Sequence, residues 1–209
     1  MLTNRAWIYL GLGAATLTAV GLVELLGAPT LRAGDRVLLV GDSLAVGLTA
    51  PFGALCQDNG IAFQAIATVG TRIDQWASAE PLTQALATFQ PTIVLISLGT
   101  NDAYMVPSPG QDIGARQAPY LDELLSKIEA ARPRAIVWVS PPTLPPAAVS
   151  LPSVLTLIRS EHAIELGRIK PRVAIFQTQN LVLPRGPDGI HPVARGYAAW
   201  AGALWKWLT

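Results

Sequence analysis

Residues 36–47 read RVLLVGDSLAVG. Four apolar residues, Val37 to Val40, run straight into Gly41, Asp42 and Ser43. A short apolar run with no polar alternation suits a strand buried on both faces, as in a parallel sheet with helices on each side. The stop at Gly-Asp-Ser marks the end of that strand and the start of a helix. A serine at such a boundary has two readings. It is an ordinary helix N-cap, or it is a nucleophile held above the carboxyl edge of the sheet.

The same pattern recurs along the chain. The runs at 36–40, 62–69, 92–98, 135–140 and 172–178 are apolar and rich in β-branched residues. Between them the spacing predicts helices at about 45–59, within 72–89 with a break at Pro81, at about 118–131, at about 152–168 and at about 193–208. In the third of these, Leu121, Leu124, Leu125 and Ile128 fall on one face. Strands alternating with helices imply right-handed crossovers and a three-layer α/β/α sandwich around a central parallel sheet. No internal repeat and no second domain interrupt it. Segments 106–114 and 140–150, rich in Pro, Gly and Ser, both follow strands, which puts them at the carboxyl edge where sites collect in this class.

Composition narrows the function. The 209 residues are enough for one domain with a core, and 51% are hydrophobic. A net charge of +1, with no basic stripe, gives no field suited to nucleic acid. The single cysteine, Cys56, forms no intrachain disulfide and reads as a small buried residue on a helix. From Trp7 to Ala28 the only charged side chain is Glu24. As a helix this stretch would span roughly 33 Å, enough for a bilayer core. Residues 1–32 therefore read as a membrane anchor, with a cleaved export signal or a buried helix as the alternatives. Residues 33–209 form the folded domain. An envelope location, membrane-anchored or exported, follows from the first two readings.

Three polar clusters fall at element ends: GDSL at 41–44, LGTND at 98–102 and DGIHP at 188–192. A serine hydroxyl needs a base, and the chain has only two histidines, His162 and His191. Asp188, three residues before His191, can orient its ring and stabilise the imidazolium. An oxyanion needs donors. The Ser43 N–H at a helix start, the Gly70 N–H in TVGTR and the Asn101 amide can each supply one. Asp42 and Asp102 read as braces that accept backbone N–H bonds. His162, in RSEHAIE, reads as a surface histidine. Arg72 and Arg116 are possible contacts for an anionic group. Trp200, Leu204 and Trp207 read as core on the last helix, with a membrane-facing patch as the alternative.

VGDSL with Ser43, Gly70, GTND with Asn101, and DGIHP with Asp188 and His191 resemble, in order, the four blocks of the SGNH, or GDSL-type, esterases and lipases. The resemblance spans most of residues 36–209. It implies a flavodoxin-like sandwich, Ser43 as nucleophile, His191 as general base and then acid, and Asp188 as its orienter. It implies an oxyanion hole of Ser43 N–H, Gly70 N–H and Asn101. It implies no metal and no organic cofactor. Members often carry an asparagine close to the second-block glycine; here Gly70 lies between Val69 and Thr71. The expected activity is hydrolysis of carboxylic esters of carbohydrate or lipid through an acyl-enzyme. An acyltransferase or a non-hydrolytic glycan-binding module on the same fold is the alternative.

Overall fold

The computed structural model describes residues 28–103, 113–142 and 173–209. Several expectations lie outside those residues: nearly all of the apolar 7–28 stretch, the helix at 152–168 with His162, and most of the two Pro-rich loops. Among the described residues, no helix is long and apolar enough to cross a membrane.

Five strands form one sheet: β1 (Arg36–Gly41), β2 (Ala62–Ala67), β3 (Ile93–Ser97), β4 (Ala135–Val139) and β5 (Val173–Phe176). They lie in the order β2-β1-β3-β4-β5, and every pairing is parallel. The helices are α1 (Ser43–Asp58), α2 (Ile73–Ala77), α3 (Glu80–Phe89), α4 (Thr100–Ala103), α5 (Ile113–Ala130) and α6 (Ala194–Leu208). Strand β1 runs one residue past its forecast, and the other four are shorter than the apolar runs that forecast them, because the last residues of those runs leave the ladder to build turns. Thr68, for example, donates its N–H to Gly41 O at 3.0 Å as the chain leaves β2.

Alternation along the strands divides the core into two layers. Leu38, Val40, Val94, Ile96, Ile136 and Trp138 face α2, α3 and α5. Val37, Leu39, Ile93, Leu95, Val137 and Val139 face α1 and α6. Each such side chain contributes about 1.5–3 kcal/mol when fully buried. Helix α1 presents Leu44, Leu48, Phe52 and Cys56 to the sheet at four-residue steps. Cys56 is buried there as expected, and burial pushes its thiol up to about 12.

Two helix boundaries correct the sequence reading. The break within 72–89 falls at Ser78 and Ala79, and Pro81 belongs to the first turn of α3, where no intrahelical donor is needed. Helix α5 starts at Ile113, five residues before the expected start, and carries Pro119 inside it on an exposed face. Gln117 and Ala118 are both buried, so the inward face extends a turn ahead of Leu121. On α6, Trp200 and Leu204 are fully buried and Trp207 is half-buried with its ring against Phe176, so all three are core.

Candidate active site

Strand order places the site. The chain steps from β1 to β2 on one side and to β3 on the other, so loops leaving β1 and β3 diverge to opposite faces. The crevice between their carboxyl ends is the topological switch point of a doubly wound sheet. Ser43 stands after β1 and Asn101 after β3, at the two lips of that crevice.

Asp42, not Ser43, is the N-cap of α1. Its Oδ1 accepts from Leu44 N at 2.9 Å. The Ser43 hydroxyl is therefore free of the capping duty and lies 2.8 Å from His191 Nε2. On the other side of that ring, His191 Nδ1 lies 2.7 Å from Asp188 Oδ2. Asp188 uses its second oxygen locally, accepting from Ile190 N at 2.9 Å and His191 N at 3.0 Å. Hydroxyl, imidazole and carboxylate thus form one hydrogen-bonded chain across 148 residues of sequence. Asp188 is about half exposed, so burial does not govern its charge. The His191 bond and the two backbone donors hold its carboxyl down to about 2.

The loop that carries the pair is tied to itself. Gly186 N donates to His191 O at 2.8 Å, Gly189 N to Gly186 O at 3.0 Å, and Val193 N to Pro184 O at 2.9 Å. The Arg185 guanidinium closes the loop on Ile190 O at 2.6 Å. Gly189 takes a left-handed φ of 67° that suits glycine. The loop reaches Ser43 because α6, which begins at its end, packs along α1. The Tyr197 ring fills the space that a side chain at Gly47 would need, and Phe52 meets Trp205 edge-on at 5.9 Å.

Around Ser43 the other expected residues converge. Asn101 Nδ2 donates to Thr71 O at 2.9 Å and to Asp42 Oδ2 at 3.3 Å. It therefore bridges the Gly70 turn and the cap of α1. Gly70 has φ 77° and open space around its Cα. Among the described residues, neither Ser43 N–H nor Gly70 N–H donates to a protein acceptor. Thr71 Oγ1 donates to Thr68 O at 2.7 Å and accepts from Trp76 Nε1 at 2.9 Å. Asp102 accepts from Ile73 N at 3.1 and 3.3 Å, at the start of α2. Asp42 and Asp102 are thus braces, as their reading from sequence has it. Burial raises both carboxyls, Asp42 to about 6 and Asp102 to about 7. Thr71, Trp76 and Arg185 escaped the sequence reading. A threonine next to the second-block glycine was the available sign for the first of them.

Two other candidates stand apart from this cluster. Arg72 is paired with Asp74 at 3.1 Å. Arg116 lies exposed on α5. Among the described residues, no three His, Cys, Asp or Glu side chains group to hold a metal ion.

A doubly wound sheet with a hydroxyl, an imidazole and a carboxylate hydrogen-bonded in a row at its switch point is an α/β arrangement that suits nucleophilic catalysis. The chain belongs to the GDSL-like lipase/acylhydrolase family, whose pattern it matches over residues 39–199, and it is a carboxylic ester hydrolase. The fold is similar to that of a single-site mutant of an acetyl-xylooligosaccharide esterase from Geobacillus stearothermophilus. Identity to it is 17%, with 86% of this chain and 96% of that one covered and a TM-score of 0.65. It is also similar to a lipase from a goat rumen metagenome, at 13% identity, 82% and 96% coverage and a TM-score of 0.63. A third similar structure is an acetyl xylan esterase, at 14% identity, 83% and 100% coverage and a TM-score of 0.64. No curated protein sequence matches the chain.

Proposed function

We propose that the chain cleaves carboxylic esters through a covalent acyl-enzyme on Ser43. The observation that carries this is the continuous chain from Ser43 Oγ through His191 to Asp188, at 2.8 and 2.7 Å. His191 Nε2 takes the Ser43 proton as Oγ bonds to the ester carbonyl carbon. The carbonyl oxygen becomes an oxyanion that accepts from Ser43 N–H, Gly70 N–H and the Asn101 amide, which exchanges its longer bond, to Asp42 Oδ2 at 3.3 Å, for the oxyanion. The tetrahedral species collapses, the C–O bond to the alcohol breaks, and His191 returns its proton to the leaving oxygen. Water then adds to the acyl carbon with His191 again as base. The acid departs and Ser43 regains its proton. Asp188 stays ionised throughout, holding the ring with Nε2 toward Ser43.

A substrate class of glycan or lipid esters is supported by the open site and by the similar structures, which include an acetyl-xylooligosaccharide esterase and a lipase. The site is open, with His191 and Asp188 each more than a third exposed. That suits acyl esters on a bulky alcohol such as a glycan or a lipid. The apolar 7–28 stretch supports a membrane-anchored or exported protein, acting on esters of the cell envelope.

A soluble fragment beginning near Ala33, assayed on p-nitrophenyl acetate beside its Ser43→Ala variant, tests the mechanism. Loss of at least about a thousandfold in kcat is expected, since triad residues of serine hydrolases carry effects of that order. Equal activity of the two proteins would overturn it.

A further inference from the structure

We infer that the cavity against the open edge of β2 holds the acyl chain of the ester, so that the enzyme prefers acyl groups longer than acetyl. The inference rests on the serine-ester reading of Ser43. The cavity has a volume of about 360 Å³ and lies between β2 and the turn joining α2 to α3. Strand β2 is the outermost strand, so no further strand fills this place. Ala79 sits on the α2–α3 side of the sheet with Ile66, and its small side chain leaves the space, while Ala65 and Ala67, whose side chains pack in the opposite layer, border the cavity along the strand. Ile66, Trp76 and Pro81 complete the apolar wall.

The chemistry of the lining selects its occupant. No charged side chain borders the cavity, which excludes an anionic group. A sugar ring would need several convergent donors and acceptors. The polar side chains of the lining are Thr68, Thr71 and Gln75, and two of them are engaged elsewhere, the Thr71 hydroxyl with Thr68 O and Trp76 Nε1 and Gln75 Oε1 with Arg72 N. An unbranched hydrocarbon chain needs no such partners.

Position ties the cavity to the reacting centre. Thr71 lines it, and the Thr71 carbonyl takes the Asn101 amide at 2.9 Å. Thr68 also lines it and is bonded through its N–H to Gly41 O, two residues before Ser43. Gly70 stands between these two residues in sequence, and its neighbour Val69 exposes an apolar side chain, 69% accessible, at the same turn. The turn that would hold the oxyanion is thus flanked by two residues of the cavity wall, and the chain attached to that carbonyl carbon can enter past it.

The test compares p-nitrophenyl acetate, butyrate and hexanoate, with hexyl acetate as the arm that places the apolar chain on the alcohol. The proteins are the wild type, Ala79→Phe, Ile66→Phe and Ser43→Ala. Each methylene entering the cavity is expected to raise kcat/KM about fourfold. Ala79→Phe or Ile66→Phe, filling the cavity from the α2–α3 turn and from β2, is expected to abolish that rise while acetate turnover stays within about twofold; two variants guard against one failing to fold. A flat wild-type profile, equal loss on all chain lengths in a folded variant, or a gain confined to hexyl acetate would overturn the inference. Acetate hydrolysis that survives Ser43→Ala would instead overturn the reading of Ser43 on which it rests.

Discussion

Ser43 opens a helix that Asp42 caps. The Asp42 carboxylate takes Leu44 N at 2.9 Å, and the neighbouring serine hydroxyl is left to face His191. Two adjacent side chains that could each cap a helix have divided the work. The buried acid satisfies the backbone, and the half-buried alcohol faces the crevice.

Asp188→Asn is expected to lower kcat by about 10⁴ while leaving the fold intact. An amide in place of the carboxylate can favour the wrong histidine tautomer and no longer balances the imidazolium. The carboxyl of Asp188 is held down to about 2 by its bond to His191, so it stays ionised through the mildly acidic range. The acid limb of the wild-type rate profile above about pH 4 therefore owes nothing to Asp188 protonation. A pH–rate profile and a thermal melt of the variant check both statements.

Thr71→Val is expected to lower kcat about tenfold with little change in KM. It removes the hydroxyl that joins Thr68 O and Trp76 Nε1 at 2.7 and 2.9 Å, and leaves the indole N–H, on a nearly buried ring, unpaired. An unsatisfied buried donor costs about 1–3 kcal/mol. The Gly70 turn would then lose its fixed shape. Thr71→Ser restores both bonds and is expected to restore kcat, which separates the role of the hydroxyl from that of the methyl group.

Asp102→Asn is expected to flatten the dependence of stability on pH. Burial raises the Asp102 carboxyl to about 7 from an ordinary value of 3.8. The folded state therefore binds a proton that the unfolded state has lost between those values, and stability falls as pH rises from about 4 to about 7. The amide oxygen can still accept from Ile73 N but does not titrate. Relative to the variant, the wild-type melting temperature is expected to fall across this range by at least about 2–4 °C, the shift that about 1 kcal/mol gives in a domain of this size. Parallel slopes in the two proteins would contradict the assignment.

Gly41→Ala is expected to be poorly tolerated. A Cβ at Gly41 would lie 2.2 Å from Ser97 O and 2.6 Å from Ala45 Cβ, so β1 and β3 could not keep their spacing beside the site. Overpacking against backbone costs about 1–3 kcal/mol or more. Gly70→Ala meets open space and keeps its N–H, and its cost is the left-handed φ of 77°, about 1–2 kcal/mol. Denaturant unfolding of the two variants is expected to rank Gly41→Ala as the less stable.

Local chemistry alone determined much of this protein. Continuous β-branched runs such as Ile93–Ser97 mark buried parallel strands, because only a two-faced core accommodates side chains on both sides of a strand. The Asp188–His191 pair was also legible, since three residues of a tight turn suffice to bring carboxylate and ring together. Boundaries were less so: Pro81 looked like a break and is the first turn of α3, because a proline forbids a helix interior but suits its start. What the sequence could not determine is what crosses the chain. That Ser43 meets His191 depends on α6 packing along α1, with the Tyr197 ring seated over Gly47. That Asn101 grips the Gly70 turn depends on β1 lying between β2 and β3. The cavity exists because β2 is an edge strand and the residue of the α2–α3 turn beside it, Ala79, is small, which looks ordinary in the sequence until no neighbour fills the space. Such contacts arise from packing between distant segments, where shape and burial act together and no local pattern of residues records the outcome.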